Sequence, residues 1–404
     1  MIQAVVLSAH TMGLALIRSL GKNGIPIIVM SYQDIDMGHV SKYVKQVIHI
    51  HHPENECDQF IDKLISLGKN LGRSILIPAD DPTIATVSKN KHKLEEFYIV
   101  AAPSWEVTKK FIIKKYTYKI AEEEGIPMPA TIFPEYVEEA KIYSKHVDYP
   151  CLVKPFESHK YFEMYRRKMT VVNNANELIS QVEDALMHKI PVMLQEIIPG
   201  DETMGINYNC YRAEGKIIQD FYAKKIRLSH KGFGVPVVVK SVGKIPDVAN
   251  YTERLLKRIN FCGFSCTEYK LDERDNKYKL MEINGRHNRS ALLALETGVN
   301  FPCIEYNYLA YGKIRPPLLY NTGVYWIDEF RDIENMFRRI LKEKYKISDF
   351  IRPYFHPHVF AVSSLHDPAP FFKRVRDCFN LVLQKFKKNR KVKQHVIRPE
   401  NISN

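Results

Sequence analysis

The stretch Cys266–Arg289, CTEYKLDERDNKYKLMEINGRHNR, constrains what this chain can fold into more than any other. Two runs of mixed apolar and charged residues flank Asp272-Glu273-Arg274-Asp275-Asn276, a polar cluster that reads as a hairpin turn. Side chains alternate along a strand, so Glu282 and Asn284 share a face. Pairing the runs about Asp275 sets Glu268 opposite Glu282, and like charges directly across a sheet destabilise it. A divalent cation between the carboxylates removes the conflict, since Mg²⁺ favours carboxylate oxygens and keeps positions open for phosphate. Arg286, two residues past Asn284, is placed to meet an anion beside that metal. Taken alone, the stretch also fits a solvent-facing hairpin with incidental charges.

A chain of 404 residues is long enough for two or three domains, each with its own core. Its hydrophobic content of 45% and charged content of 26% are those of an ordinary globular protein, and no apolar run reaches the length of a membrane span. Met1–Leu7 lacks a basic n-region and reads as a first strand, not a signal peptide. Seven scattered cysteines without a CxxC pair argue against a disulfide scaffold or zinc cluster, so a reducing cytoplasm is expected. The net charge of +13 is uneven: residues 371–404 hold ten Lys/Arg against Asp377 and Glu400. Such an excess suits nucleic acid, anionic membrane or phosphate ligands, although most basic tails are simply solvated.

Residues 1–100 alternate strand and helix signals, a cadence that predicts a parallel sheet with covering helices. After the first strand, Ser8-Ala9-His10-Thr11-Met12-Gly13 offers one glycine where a dinucleotide fingerprint needs three, which excludes an NAD or FAD site. Asp80 and Asp81 follow a strand, where ligands bind in open α/β sheets; helix N-capping ahead of Pro82 accounts for at least one of them. Lys109–Glu124 reads as one helix stopped by Gly125-Ile126-Pro127-Met128-Pro129. Lys154 ends the apolar run Cys151–Pro155, so its ammonium emerges at a strand terminus, as a phosphate-binding lysine would. Ile206–Tyr211, Ile217–Ala223 and Pro236–Val242 read as antiparallel strands, the second ending in a basic knot of Lys224, Lys225 and Arg227. In Phe371–Lys388 an apolar helical face carries Phe372, Val375, Phe379, Val382, Leu383 and Phe386. Packing of that face against the body of the protein is expected ahead of contact with a membrane surface.

Laid end to end, these elements resemble the ATP-grasp superfamily of carboxylate–amine ligases, in particular ATP-dependent carboligases similar to D-aspartate ligase and to carbamoyl-phosphate-synthase-type ATP-grasp domains. The resemblance implies a Rossmann-like pre-ATP-grasp domain over 1–103. A two-lobed ATP-grasp fold follows, its small lobe with linker helix over 104–198 and its large lobe over 199–318, and a basic C-terminal extension occupies 319–404. It assigns Lys114 (Lys115 next in line) and Lys154 to ATP phosphates, Gln195 with the backbone of Glu196 and Ile198 to adenine, and Glu202 to the ribose. The metal set is Glu268, Glu282 and Asn284, Arg286 steadies the transferring phosphoryl or the acyl phosphate, and Lys225 or Arg227 reaches the γ-phosphate or substrate carboxylate. Two departures stand out. The loop Phe156-Glu157-Ser158-His159-Lys160 lacks the family's glycines, leaving Ser158 or His159 to replace them, and the family's Asn-Pro-Arg is Asn284-Gly285-Arg286.

The implied function is amide formation through an acyl phosphate, using ATP and Mg²⁺, with Mn²⁺ suited to the same donors, and releasing ADP and phosphate. The partners are a small carboxylate, an amino acid or peptide, and a small amine; a homodimer is allowed, and nucleic acid is not expected. No covalent catalytic residue is needed, and His287 is left without a role. The competing reading is a nucleotide-binding regulatory protein of the same fold without turnover.

Overall fold

The computed structural model describes residues 1–156, 164–165, 169–230, 232–343 and 345–396. Ser158 and His159, the expected substitutes for the loop glycines, lie outside the described residues.

The first sheet is parallel, in the order β3-β2-β1-β4-β5. Its members are β1 (Gln3–Leu7), β2 (Ile27–Ser31), β3 (Val44–His49), β4 (Ser74–Pro78) and β5 (Tyr98–Val100). Every residue of β2 and β4 is buried, which is why both read as unbroken apolar runs; β3, at an edge, has no buried residue, and the alternation expected over it is not seen in its burial. Asp80 caps the helix Asp81–Lys89 in a reciprocal box with Thr83, as the sequence led us to expect of one of the two aspartates.

The second sheet, in the order β6-β9-β7-β8, is antiparallel and has its own core. It comprises β6 (Thr131–Ile132), β7 (Cys151–Pro155), β8 (Thr170–Val172) and β9 (Val192–Glu196). Between the first two sheets the expected single helix is broken in two, Trp105–Ile112 and Lys114–Glu123, with Ile113 extended between them. The β-branched pair Ile112-Ile113 weakens the helix there, and the break makes Lys114 the first residue of a new one.

The third sheet has seven strands in the order β14-β13-β10-β11-β12-β15-β16. They are β10 (Gly205–Ala213), β11 (Lys216–His230), β12 (Phe233–Val242), β13 (Gly263–Asp272), β14 (Lys277–Asn284), β15 (Tyr325–Ile327) and β16 (His358–Phe360). The last two come from the 319–404 stretch and complete this sheet. One core runs from Val5, Leu7 and Leu76 of the parallel sheet through Phe111 and Phe261 to Tyr208, Tyr269 and Leu280 of the large one.

The expectation that the apolar face near the C-terminus packs on the body does not hold for Phe372, Val375, Phe379 and Leu383; the side chains of Val382 and Phe386 lie outside the described residues. In the helix Ala369–Val396 Phe371 meets Phe330 at 5.6 Å, whereas Phe372, Val375 and Phe379 are exposed. Helical periodicity specifies a face but not what covers it. No helix among the described residues is long and apolar enough to cross a membrane.

Candidate active site between the two lobes

The β13–β14 hairpin closes with Asp272 opposite Lys277, and Asn276 takes the left-handed conformation (φ 54°) that asparagine tolerates. Continued unbroken, this register would set Met281 against Glu268. A bulge at Met281 shifts it by one residue, so that Glu268 faces Glu282 and Cys266 faces Asn284. The two carboxylates therefore share a face, with Cβ atoms about 4.5–5.5 Å apart. The bulge also frees the Met281 carbonyl, which accepts the Tyr118 hydroxyl at 2.7 Å.

Lysines answer both carboxylates. Lys225 of β11 donates to Glu268, and Lys114 Nζ lies 3.2 Å from Glu282 Oε1. Burial opposes charge on Glu282, but the Lys114 ammonium, with Arg286 and Lys154, holds it below the usual carboxylate range. Glu282 in turn raises Lys114. Burial likewise opposes the charge on Lys225, and Glu268 outweighs it. From the second sheet Lys154 Nζ donates to Gln195 Oε1 at 2.6 Å, and Gln195 Nε2 donates to Thr131 Oγ1 at 2.9 Å. Burial, joined by the Lys114 ammonium and only partly offset by Glu282, pulls Lys154 down to about 7.

Arg286 closes the other side. It grips Asp81 with Nε and Nη2 at 2.6 and 2.7 Å, donates to Asn284 Oδ1 at 3.2 Å, and touches Met12 Sδ at 3.3 Å. It thus joins the hairpin to the carboxyl edge of the parallel sheet. Beside it, Asp80 accepts from Tyr32 at 2.7 Å and lies 3.4 Å from His10 Nε2. Burial disfavours its charge, but hydrogen bonds from His10, Thr83 and Tyr32 hold it at about 2. Gly285 lies against the Phe111 ring, where an added Cβ would sit 2.4 Å from it.

The structure brings together Lys114, Lys154, Gln195, Lys225, Glu268, Glu282, Asn284 and Arg286. The other candidates have separate commitments. Arg227 is fully buried, bonded through Nε and Nη2 to both oxygens of Asp332 at 2.7 and 2.8 Å and stacked on Phe350. A register shift between Lys225 and Arg227 separates their paths. Glu202 accepts from the buried Arg339 at 2.8 Å. The Glu196 carboxylate accepts from Ala130 N–H and Arg274, its own N–H goes to the Ala130 carbonyl, and the Ile198 carbonyl accepts from Lys270 at 2.8 Å. Lys115 pairs with the exposed Glu135. His287 is buried on Glu305 and stacked on Phe264.

Three contributors escaped the sequence reading: Tyr118, Asp81 as the partner of Arg286, and Asn207. Asn207 stands directly across β10–β13 from Glu268, and its buried Oδ1 has no hydrogen-bond partner. The only hint of it was the alternation Asn207-Tyr208-Asn209. Among the described residues no cluster of three or more His, Cys, Asp or Glu is placed to hold a metal. The set present is two carboxylates and amide oxygens, hard donors that fit Mg²⁺, and the orphaned Asn207 oxygen beside Glu268 agrees with a cation there.

No family model matches the sequence. The chain is 24% identical over 265 residues to D-aspartate ligase from Enterococcus faecium (strain Aus0004), which covers 60% of the chain and 61% of that ligase. It therefore spans about three-fifths of the length of this relative. Among solved structures, the biotin carboxylase domain dimer of Hydrogenobacter thermophilus 2-oxoglutarate carboxylase, in complex with MgADP, ADP and bicarbonate, superimposes with TM-score 0.61 at 18% identity, covering 80% of this chain and 74% of that one. L-amino acid ligase from Bacillus licheniformis superimposes with TM-score 0.60 at 14% identity, covering 78% of each chain. With its parallel-sheet domain followed by two lobes that meet at opposed carboxylates, the chain has the ATP-grasp fold.

Proposed function

We propose that the protein is an ATP-dependent carboxylate–amine ligase. The observation that carries this reading is the register that sets Glu268 against Glu282 on a face shared with Lys225 and Lys114 and approached by Lys154 from the other lobe. Glu268, Glu282 and Asn284 would hold Mg²⁺, or Mn²⁺ on the same donors, and the ion supplies charge neutralisation for ATP oxygens. Lys114 and Lys154 bind the phosphates, Gln195 meets the adenine amine, and the backbone of Glu196 and Ile198 borders the base. Arg286, oriented by Asp81, faces the transferring phosphoryl, which is largely an electrostatic task. Lys225 is the cation for the γ-phosphate or substrate carboxylate; Arg227 and Glu202 hold the 319–404 stretch to the large sheet. The γ-phosphoryl moves to a carboxylate oxygen, an amine displaces phosphate from the acyl phosphate, and the products are an amide, ADP and phosphate.

The names of the two ligase relatives support an amino acid as a substrate, and a dimeric neighbour supports a homodimer. Seven unpaired thiols support a reducing compartment such as the cytoplasm. The test is ADP release across a panel of amino acids and amines with MgCl₂. Glu282→Gln is expected to abolish metal-dependent release with the fold intact. Retained activity removes Glu282 from the site, and silence across the whole panel favours a nucleotide-binding protein without turnover.

A further inference from the structure

A cavity of about 240 Å³ is lined by Met12, whose Sδ touches Arg286 at 3.3 Å, and by Arg289 of the loop that carries Arg286. A water takes about 30 Å³ of liquid volume, so the space equals that of roughly eight waters, enough for a small amino acid. His10 and Met12 line it from the parallel-sheet domain, and Arg289, Asp328, Arg331 and Arg374 from the other side.

Its charges do not balance. Three guanidinium groups line it against one carboxylate: Arg289 donates to Asp328, Arg331 Nε lies 3.5 Å from the same oxygen, and Arg374 is stacked 5.9 Å over Phe330. Asp328 is further engaged by the Arg331 N–H as the cap of the helix Glu329–Lys342. Arg289 Nε is buried and has no acceptor. Burial, and then Arg331 and Arg374 themselves, lower the Arg289 pKa. A desolvated guanidinium with a free donor beside two more of the same sign calls for an anion. The three arginines converge from three parts of the sequence, and Arg289 lies on the same loop as Arg286.

We propose that this cavity binds the non-reacting anionic group of the acid substrate, whose reacting carboxylate lies at Arg286. The acid is then a dicarboxylate, amino dicarboxylates such as aspartate or glutamate being of fitting size. The assignment rests on the ligase reading for the position of the reacting carboxylate, but the binding site itself can be tested without turnover.

Binding of D- and L-aspartate and D- and L-glutamate to the full chain is measured by calorimetry, with D- and L-alanine as monocarboxylate controls. At least one dicarboxylate is expected to bind tenfold or more tighter than the matching alanine. Arg289→Gln and Arg374→Gln each erase that preference, Arg289→Lys restores part of it, and near-UV circular dichroism stays that of the parent. Absence of dicarboxylate binding, or a preference unchanged in both glutamine variants, overturns the proposal. ADP release with the same acids separates the two claims. If preference is lost in the variants but no acid–amine pair stimulates release, the cavity assignment stands and the ligase reading falls. If alanine and aspartate are turned over equally well, and equally in Arg289→Gln, the cavity assignment falls and the ligase reading stands.

Discussion

Lys154 offers the sharpest quantitative test of the site. Its ammonium faces Gln195 in a buried setting near Lys114, and its pKa falls to about 7 against an ordinary lysine value of about 10.4. Triphosphate oxygens beside it restore its preference for charge, so metal-free ATP should bind with uptake of a proton. From a value of 7, about nine-tenths of the amines are neutral at pH 8, and binding then draws about 0.9 proton from solution. Affinity should fall about tenfold per pH unit between pH 7.5 and 9, where the nucleotide itself no longer titrates. The sign for stability is opposite. A depressed lysine makes the unfolded chain the better proton binder above 7, so its penalty is full below 7 and relieved as pH rises toward the unfolded value. The assay is calorimetric ATP titration in EDTA, in two buffers of different ionisation enthalpy, so that proton uptake is read directly. Lys154→Arg keeps a fixed charge and should bind ATP with a flat profile. A parent protein without proton uptake at pH 8, or a slope shared equally by Lys154→Arg, refutes the reasoning.

Arg227→Met should act on stability and not on nucleotide binding. It leaves the fully buried Asp332 without its bidentate partner, so about 3–5 kcal/mol of unfolding free energy is lost, read by chemical denaturation with ATP affinity as the control. A variant of unchanged stability with weakened ATP binding would instead place Arg227 in the site. Gly285→Ala forces a methyl group into the Phe111 ring, which is itself edge-on to Phe261 at 5.8 Å. The expected cost is about 1–3 kcal/mol of stability together with slower ADP release, because Gly285 lies between Asn284 and Arg286; Gly285→Ala with Phe111→Leu should recover part of both. An alanine tolerated without loss would show that Phe111 moves freely there.

The opposed carboxylates of the hairpin were legible because their grammar is local. Strand alternation and one polar turn were enough to oppose Glu268 and Glu282, although two offsets invisible in the sequence cancel to produce that pairing: the turn closes between Asp272 and Lys277, and Met281 bulges. Local patterns failed wherever the answer was a partner far along the chain. Lys225 and Arg227 look alike in one basic knot, and only Asp332, from the C-terminal stretch, takes Arg227 out of the site. Gln195 and Glu196 are neighbours, yet strand alternation sends one toward Lys154 and the other toward Arg274. The helix face of Phe372, Val375 and Phe379 was correctly periodic, but periodicity is silent about burial. The same division separates the two ends of the proposed reaction. In that proposal ATP would be met mostly by side chains at strand ends and helix starts, where position in an element dictates direction. The acid would be met by Arg286, held by Asp81, and by Arg289, Arg331 and Arg374, residues from separate segments that acquire a common charge excess only when the parallel-sheet domain, the hairpin loop and the C-terminal stretch are folded against one another. A specificity pocket built that way can change its acid by substitutions in the C-terminal stretch while the ATP machinery stays as it is, so relatives of this fold that differ in substrate should differ first at positions such as Arg331 and Arg374 and last at Glu282.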